Sequence, residues 1–179
     1  MKRVGFSVAL IMAAIAVAPV WAQALRVTNR SVPIYAVDAR GIGARLGTVE
    51  MKDVPDGLRI KLDLEGLPPG PHGFHVHTVA DCSQADIGGR TVPAGMAGPP
   101  YDPFRTGRHA GPHGNGYLGD LPFIAVAKDG RAKYVMTAPR LKVDDLRNRS
   151  VLITTGGDNY ADTPPMGGGG DAIACGTIR

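Results

Sequence analysis

Several stretches of this 179-residue chain alternate apolar and polar side chains, which is the pattern of a β-strand with one buried face. The clearest case is residues 58–64, where leucine and isoleucine alternate with charged residues. Asp129-Gly130 predicts a hairpin turn between two of the later strands. The pattern predicts an all-β domain, a β-sandwich or barrel, with further strands at residues 74–77, 123–127, 132–136, 150–154 and 172–178.

Two long segments rich in glycine and polar residues separate these strands. The first runs from residue 77 to residue 121 and the second from residue 156 to residue 170. Loops of this length in a compact domain are usually functional, so we expect the chemistry of the protein to lie there. Residues 141–147 predict one helical turn that buries Val143 and Leu146.

The first 22 residues predict a secretory signal peptide. Lys2 and Arg3 precede an uninterrupted apolar run at residues 8–20, and Val20-Trp21-Ala22 suits signal peptidase. The run is shorter than the roughly 20 residues of a membrane-spanning helix. We therefore expect a periplasmic or otherwise exported protein without a membrane span, and one domain at residues 23–179.

The charge of the chain does not indicate a nucleic-acid partner. The formal net charge is +4, it falls to +2 without Lys2 and Arg3, and the remaining basic residues are scattered among acidic ones.

Cys82 and Cys175 are the only cysteines of the chain. Because an exported protein folds in an oxidising compartment, we predict a disulfide between them. Two free buried thiols are the alternative, and a zinc thiolate site is less expected because the spacing does not match one.

A series of short motifs follows in a fixed order. Through most of the chain this series resembles the bacterial periplasmic copper,zinc superoxide dismutases. The resemblance implies a Greek-key β-sandwich closed into a flattened barrel with long functional loops, and it allows a homodimer. The motifs are Gly73-Phe74-His75-Val76-His77, Tyr101-Asp102-Pro103, Thr106-Gly107-Arg108-His109, Gly119-Asp120-Leu121-Pro122, Gly156-Gly157-Asp158-Asn159-Tyr160 and Ala174-Cys175-Gly176.

The resemblance implies a set of retained metal-site residues. His75 and His77 match two copper ligands, and the period of two along a strand places both imidazoles on one face. His109 matches a zinc histidine and Asp120 the zinc carboxylate. Asp158 matches the outer carboxylate that connects the ligands of the two metals.

Four other positions depart from the family pattern. Pro100 stands where the family has the histidine that bridges copper and zinc, Tyr117 replaces a zinc histidine, and Thr154 replaces a copper histidine. Ala172 replaces the arginine that attracts superoxide. Beside it, Asp171 is expected to repel an anionic substrate.

These departures predict a superoxide dismutase-like protein that has lost efficient dismutation and binds copper, another cofactor or a partner that the sequence does not specify. The alternative is an active enzyme that converts superoxide to oxygen and hydrogen peroxide at a rearranged copper site, with His109 or His113 as a third imidazole. Copper is expected ahead of zinc. Haem is a further alternative that nothing in the spacing specifies.

Overall fold

A computed structural model describes residues 29–179 of the chain. The predicted signal peptide and the predicted start of the domain lie outside these residues. Among the described residues, no helix has the length and apolar character needed to cross a membrane. The strands are β1 Asn29–Asp38, β2 Gly41–Val54, β3 Gly57–Leu64, β4 Gly70–His72, β5 Phe74–His77, β6 Ala85–Ile87, β7 Arg90–Val92, β8 Ile124–Val126, β9 Ala132–Ala138, β10 Arg149–Thr154 and β11 Ala172–Ile178.

Seven of the strands form one curled antiparallel sheet in the order β5-β10-β11-β1-β2-β3-β9. The sheet wraps around an apolar core to which Ile34, Leu62, Phe74 and Ile153 contribute side chains that are almost completely buried. Leu121 joins this core from the first long loop. The all-β prediction is therefore confirmed, and the loop is anchored to the core by its own apolar residue.

The structure confirms the strand β3 that the apolar–polar alternation predicts. Leu58, Ile60, Leu62 and Leu64 are buried, whereas the charged residues between them are exposed. The strand pairs with β2 on one side and with β9 on the other, so its backbone hydrogen bonds are satisfied on both edges.

The predicted hairpin between β8 and β9 is only partly correct. The turn forms as predicted, since the Ala127 amide donates to the Arg131 carbonyl at 2.9 Å. However, β8 pairs with β4 instead of β9, and β9 pairs along its whole length with β3. Strand β3 offers β9 a longer partner than the three residues of β8, so the turn leads the chain from one sheet into the other.

Strands β1 and β2 were not predicted. They pair in register from Asn29 opposite Lys52 to Asp38 opposite Gly41, but the register shifts at two places near Tyr35. These irregularities, together with Pro33 and the glycines of β2, interrupt the apolar–polar alternation that reveals a strand in a sequence.

The first long loop contains regular structure of its own. Strands β6 and β7 form a small hairpin around Gly88 and Gly89, and a 3₁₀ turn follows at Gly95–Ala97. The helical turn predicted at residues 141–147 is confirmed as a 3₁₀ turn at Val143–Leu146, with both apolar residues buried.

The disulfide between Cys82 and Cys175 is present, as predicted. It joins the first long loop to β11 and lies in a second apolar cluster with Leu152 and Ala172. The bridge therefore holds the loop against the end of the sheet that carries β10 and β11.

Replacing Cys82 with serine should lower the free energy of unfolding by about 2 to 5 kcal/mol under oxidising conditions, because the bridge constrains the unfolded chain. Denaturant titration of C82S and the unmodified protein measures the difference. In strong reductant the two proteins should unfold at similar denaturant concentrations, and an equal loss in both conditions would contradict a stabilising bridge.

Candidate metal centre

The two histidines of β5 lie in a strand that is covered along both edges. On one edge β5 pairs with β10, which places His75 opposite Leu152 and His77 opposite Ser150. On the other edge single bridges join His75 to Asp120 and His77 to Pro100. All four residues of β5 are buried, so the expectation from alternation of a half-buried strand is wrong here. The first long loop forms these two bridges, so it covers the edge of β5 that does not pair with β10.

His75 forms a buried pair with Asp158. Its Nε2 donates to Asp158 Oδ2 at 2.6 Å, and neither side chain is exposed to solvent. Asp158 Oδ1 accepts a second hydrogen bond, from the Tyr160 amide. Burial raises the pKa of Asp158, but the hydrogen bonds from His75 and Tyr160 outweigh it and hold this pKa below its usual value. With its proton on Nε2, His75 has an unprotonated Nδ1 that can bind a cation.

His109 and Asp120 form a second buried group. Their Nδ1 and Oδ1 atoms lie 3.0 Å apart but are not aligned for a hydrogen bond. Asp120 Oδ2 accepts the amides of Ala110 and Gly111, each at 3.0 Å. Burial lowers the pKa of His109, but the nearby carboxylates, Asp120 first, outweigh it and raise this pKa above its ordinary value.

His75, His109 and Asp120 come together at one point. Each contributes a nitrogen or carboxylate oxygen, and these atoms lie within 4.8 Å of one another. Among residues 29–179, no hydrogen-bond partner is present for His75 Nδ1, either ring nitrogen of His109, or Asp120 Oδ1. A buried polar atom without a partner costs about 1 to 3 kcal/mol, and a bound cation would remove that cost. Imidazole and carboxylate are also ligands that zinc and copper accept.

His77 lies beside this cluster but is not part of it. Its ring centre is 6.4 Å from that of His75, and its Nδ1 donates to the Gly98 carbonyl at 2.7 Å. Burial lowers the pKa of His77 to about 4. The proton is therefore held on Nδ1, and Nε2 is an unprotonated nitrogen.

Comparison with known proteins identifies the family of this chain. The family model for copper/zinc superoxide dismutase (SODC) matches residues 45–178. The superoxide dismutase [Cu-Zn] of Escherichia coli K12 is 41% identical over 181 residues, which covers all of both chains. The chain belongs to the copper/zinc superoxide dismutase family.

Solved structures of similar proteins agree with this assignment. The Cu/Zn superoxide dismutase from Brucella abortus superposes with a TM-score of 0.83 at 42% identity, over 84% of this chain and 99% of that one. A SOD-like protein from Bacillus subtilis superposes with a TM-score of 0.66 at 27% identity, over 83% of this chain and 97% of that one. The predicted family and its Greek-key barrel are confirmed.

Two of the positions at which we predict a departure from the family pattern, Pro100 and Tyr117, contact histidines of this region. Pro100 is bridged to His77 through the backbone, and a proline side chain offers no metal ligand. The Tyr117 ring packs edge-on against His109, with centres 4.9 Å apart. Its backbone is held by Arg140, whose guanidinium donates to the Tyr117 carbonyl. Tyr117 thus fills the space on one side of the His109 ring.

Thr154 and Ala172 lie on the opposite side, at the ends of β10 and β11. The Thr154 hydroxyl donates to the Gly156 carbonyl at 3.0 Å, so its proton is already used within the loop. Ala172 is buried and uncharged. The predicted loss of a copper imidazole and of a guiding arginine at these two positions stays a prediction about function.

The structure changes the interpretation of Asp171. Both of its carboxylate oxygens accept hydrogen bonds from the Arg90 guanidinium, at 2.8 to 3.0 Å. The carboxylate that was expected to repel an anion is therefore paired with a cation. Because Arg90 and Asp171 are 81 residues apart, no local pattern indicates their contact.

His113 is exposed and lies outside the cluster, so the structure does not bring it to His75 as a third imidazole. His109 is the histidine that it places there, with its ring centre 5.3 Å from that of His75.

Replacing Asp158 with asparagine should weaken binding of Cu(II) or Zn(II) about 10- to 100-fold, because the neutral amide no longer fixes the His75 tautomer. Competition with a coloured chelator measures the affinity. Asp129, in an exposed turn, provides the matched control D129N, which should bind as the unmodified protein does. Unchanged affinity in D158N would contradict the role given to Asp158.

Proposed function

We propose that the protein is an exported metal-binding protein that converts superoxide to oxygen and hydrogen peroxide at a rearranged copper site. The observation that carries this proposal is the cluster of His75, His109 and Asp120, whose buried donor atoms have no other partner among the described residues. The relatives that match over the whole chain or most of it are named superoxide dismutases, which supports the same reaction.

The residues present suit one metal ion better than two. A four-coordinate zinc site needs about four protein ligands, and only His109 and Asp120 remain at the positions that the resemblance assigns to zinc. The corresponding copper positions retain His75 and His77. The cluster combines ligands from both sets, and we propose that it holds a single ion. Copper, when bound there, supplies one-electron exchange with superoxide between its Cu(II) and Cu(I) states.

The protein contributes the orientation of these ligands. Asp158 holds the proton of His75 on Nε2 and so leaves Nδ1 available. The two loop amides that bond Asp120 Oδ2 leave Oδ1 as its available oxygen.

Export is supported by the disulfide, because such bridges persist in oxidising compartments. The predicted signal peptide agrees with export. We also propose a homodimer, on the basis of the family resemblance.

The test is superoxide turnover by the mature protein after copper loading, measured by stopped-flow absorbance. Replacing His75 with alanine should abolish stoichiometric copper binding and lower turnover at least tenfold, because a buried ligand is lost. H113A is the matched control, since it removes an exposed histidine outside the cluster. Turnover that survives in H75A, or that is lost in H113A, would contradict the proposed ligand set.

A protein that binds metal without efficient dismutation is the second candidate, and the four departures favour it. Restoring the family residues in P100H, Y117H, T154H and A172R together should raise turnover by at least tenfold if ligand loss limits the natural protein. The combined variant and the natural protein are compared at equal copper content. A natural protein that already matches the variant would contradict this candidate.

A further inference from the structure

A cleft next to His77 has a volume of about 410 Å³. We call it the His77 cleft. It lies between the loop that carries β6 and β7 and the ends of β10 and β11. Ile87, Val92, Pro99, Leu152 and Ala172 are among its lining residues. Apolar clefts of a few hundred Å³ with a few polar groups are typical of small-molecule sites.

The lining carries little net charge. Its carboxylate, Asp171, is paired with Arg90 through both oxygens. Within the described part of the chain, the cleft therefore has no unpaired lysine, arginine or acidic residue in its lining. An anion gains no attraction from such a surface, and a charged ligand would lose hydration without compensation.

One polar group, His77, would orient a ligand in the cleft. His77 lines it, and the ring donates its Nδ1 proton to the Gly98 carbonyl at 2.7 Å. Its Nε2 is then an acceptor, because the one side-chain hydrogen bond that His77 makes within residues 29–179 uses Nδ1. A ligand that donates one hydrogen bond would satisfy this nitrogen.

The small residue at position 172 keeps the space open. Ala172 lines the cleft, whereas a long side chain there would extend into it. Thr154 also lines the cleft, and its hydroxyl proton is already used within the loop, so it adds no strong competing donor.

We propose that the His77 cleft binds a neutral, mostly apolar small molecule that carries one hydrogen-bond donor, a class to which 2-naphthol belongs. This goes beyond the proposed dismutation, because the binding depends on the apolar walls and on His77 and requires no metal.

The test is a fluorescence titration of the mature protein with 2-naphthol, before and after treatment with a chelator. Saturable binding with one site per chain is expected in both samples. 2-Methoxynaphthalene, which has a similar shape but no donor, should bind several-fold more weakly because it cannot bond Nε2. Loss of binding after chelation would overturn the proposal while leaving metal-dependent dismutation intact.

Two arginine variants locate the site. A172R fills the cleft and should weaken 2-naphthol binding at least tenfold, whereas A125R adds the same side chain to an exposed position on β8 and should bind normally. Unweakened binding in A172R overturns the proposal. If A172R does not fold, the changes in amide chemical shift that 2-naphthol causes in the natural protein locate the site instead. Shifts confined to the cleft, with Gly98 and Ala172 among them, support the proposal, and shifts elsewhere overturn it.

Discussion

The buried hydrogen bond between His75 and Asp158 is the contact on which the site depends. It joins β5 to the second glycine-rich loop across 83 positions, and both side chains are completely removed from water. A buried carboxylate is stable only if it is paired and hydrogen-bonded, and Asp158 has both the histidine and the Tyr160 amide. Gly167 lets the same loop close over it, because a side chain there would collide with the Asp158 carboxylate. The contact therefore fixes the loop and the His75 tautomer together.

Much of the fold followed from simple patterns. The alternation of Leu58, Ile60, Leu62 and Leu64 predicted β3 and its buried face correctly. Strands β1 and β2 escaped prediction because register shifts and glycines break their alternation. The β6–β7 hairpin escaped because its strands have only three residues each, although Gly88-Gly89 is a turn signal that was available. Local patterns reveal regular strands, and they fail where the backbone is irregular.

The residues of the site could be predicted better than their arrangement in space. The period of a strand placed His75 and His77 on one face, and the resemblance to the family implied His109, Asp120 and Asp158. Nothing in the sequence gives the distance between His75 and His109, because a loop of more than thirty residues separates them and its path depends on tertiary contacts. The pairing of Arg90 with Asp171 is hidden for the same reason. It pairs the carboxylate that the sequence alone led us to expect to repel anions.

We propose that His75, His109 and Asp120 together hold one metal ion. The most direct measurement is the metal content of the mature protein after loading with copper and zinc together, by elemental analysis, with Cu(II) spin resonance on the same sample. We expect one tightly held ion per chain and a copper signal with nitrogen hyperfine structure. Two ions per chain would contradict the proposed single site, and no retained metal would contradict the site itself.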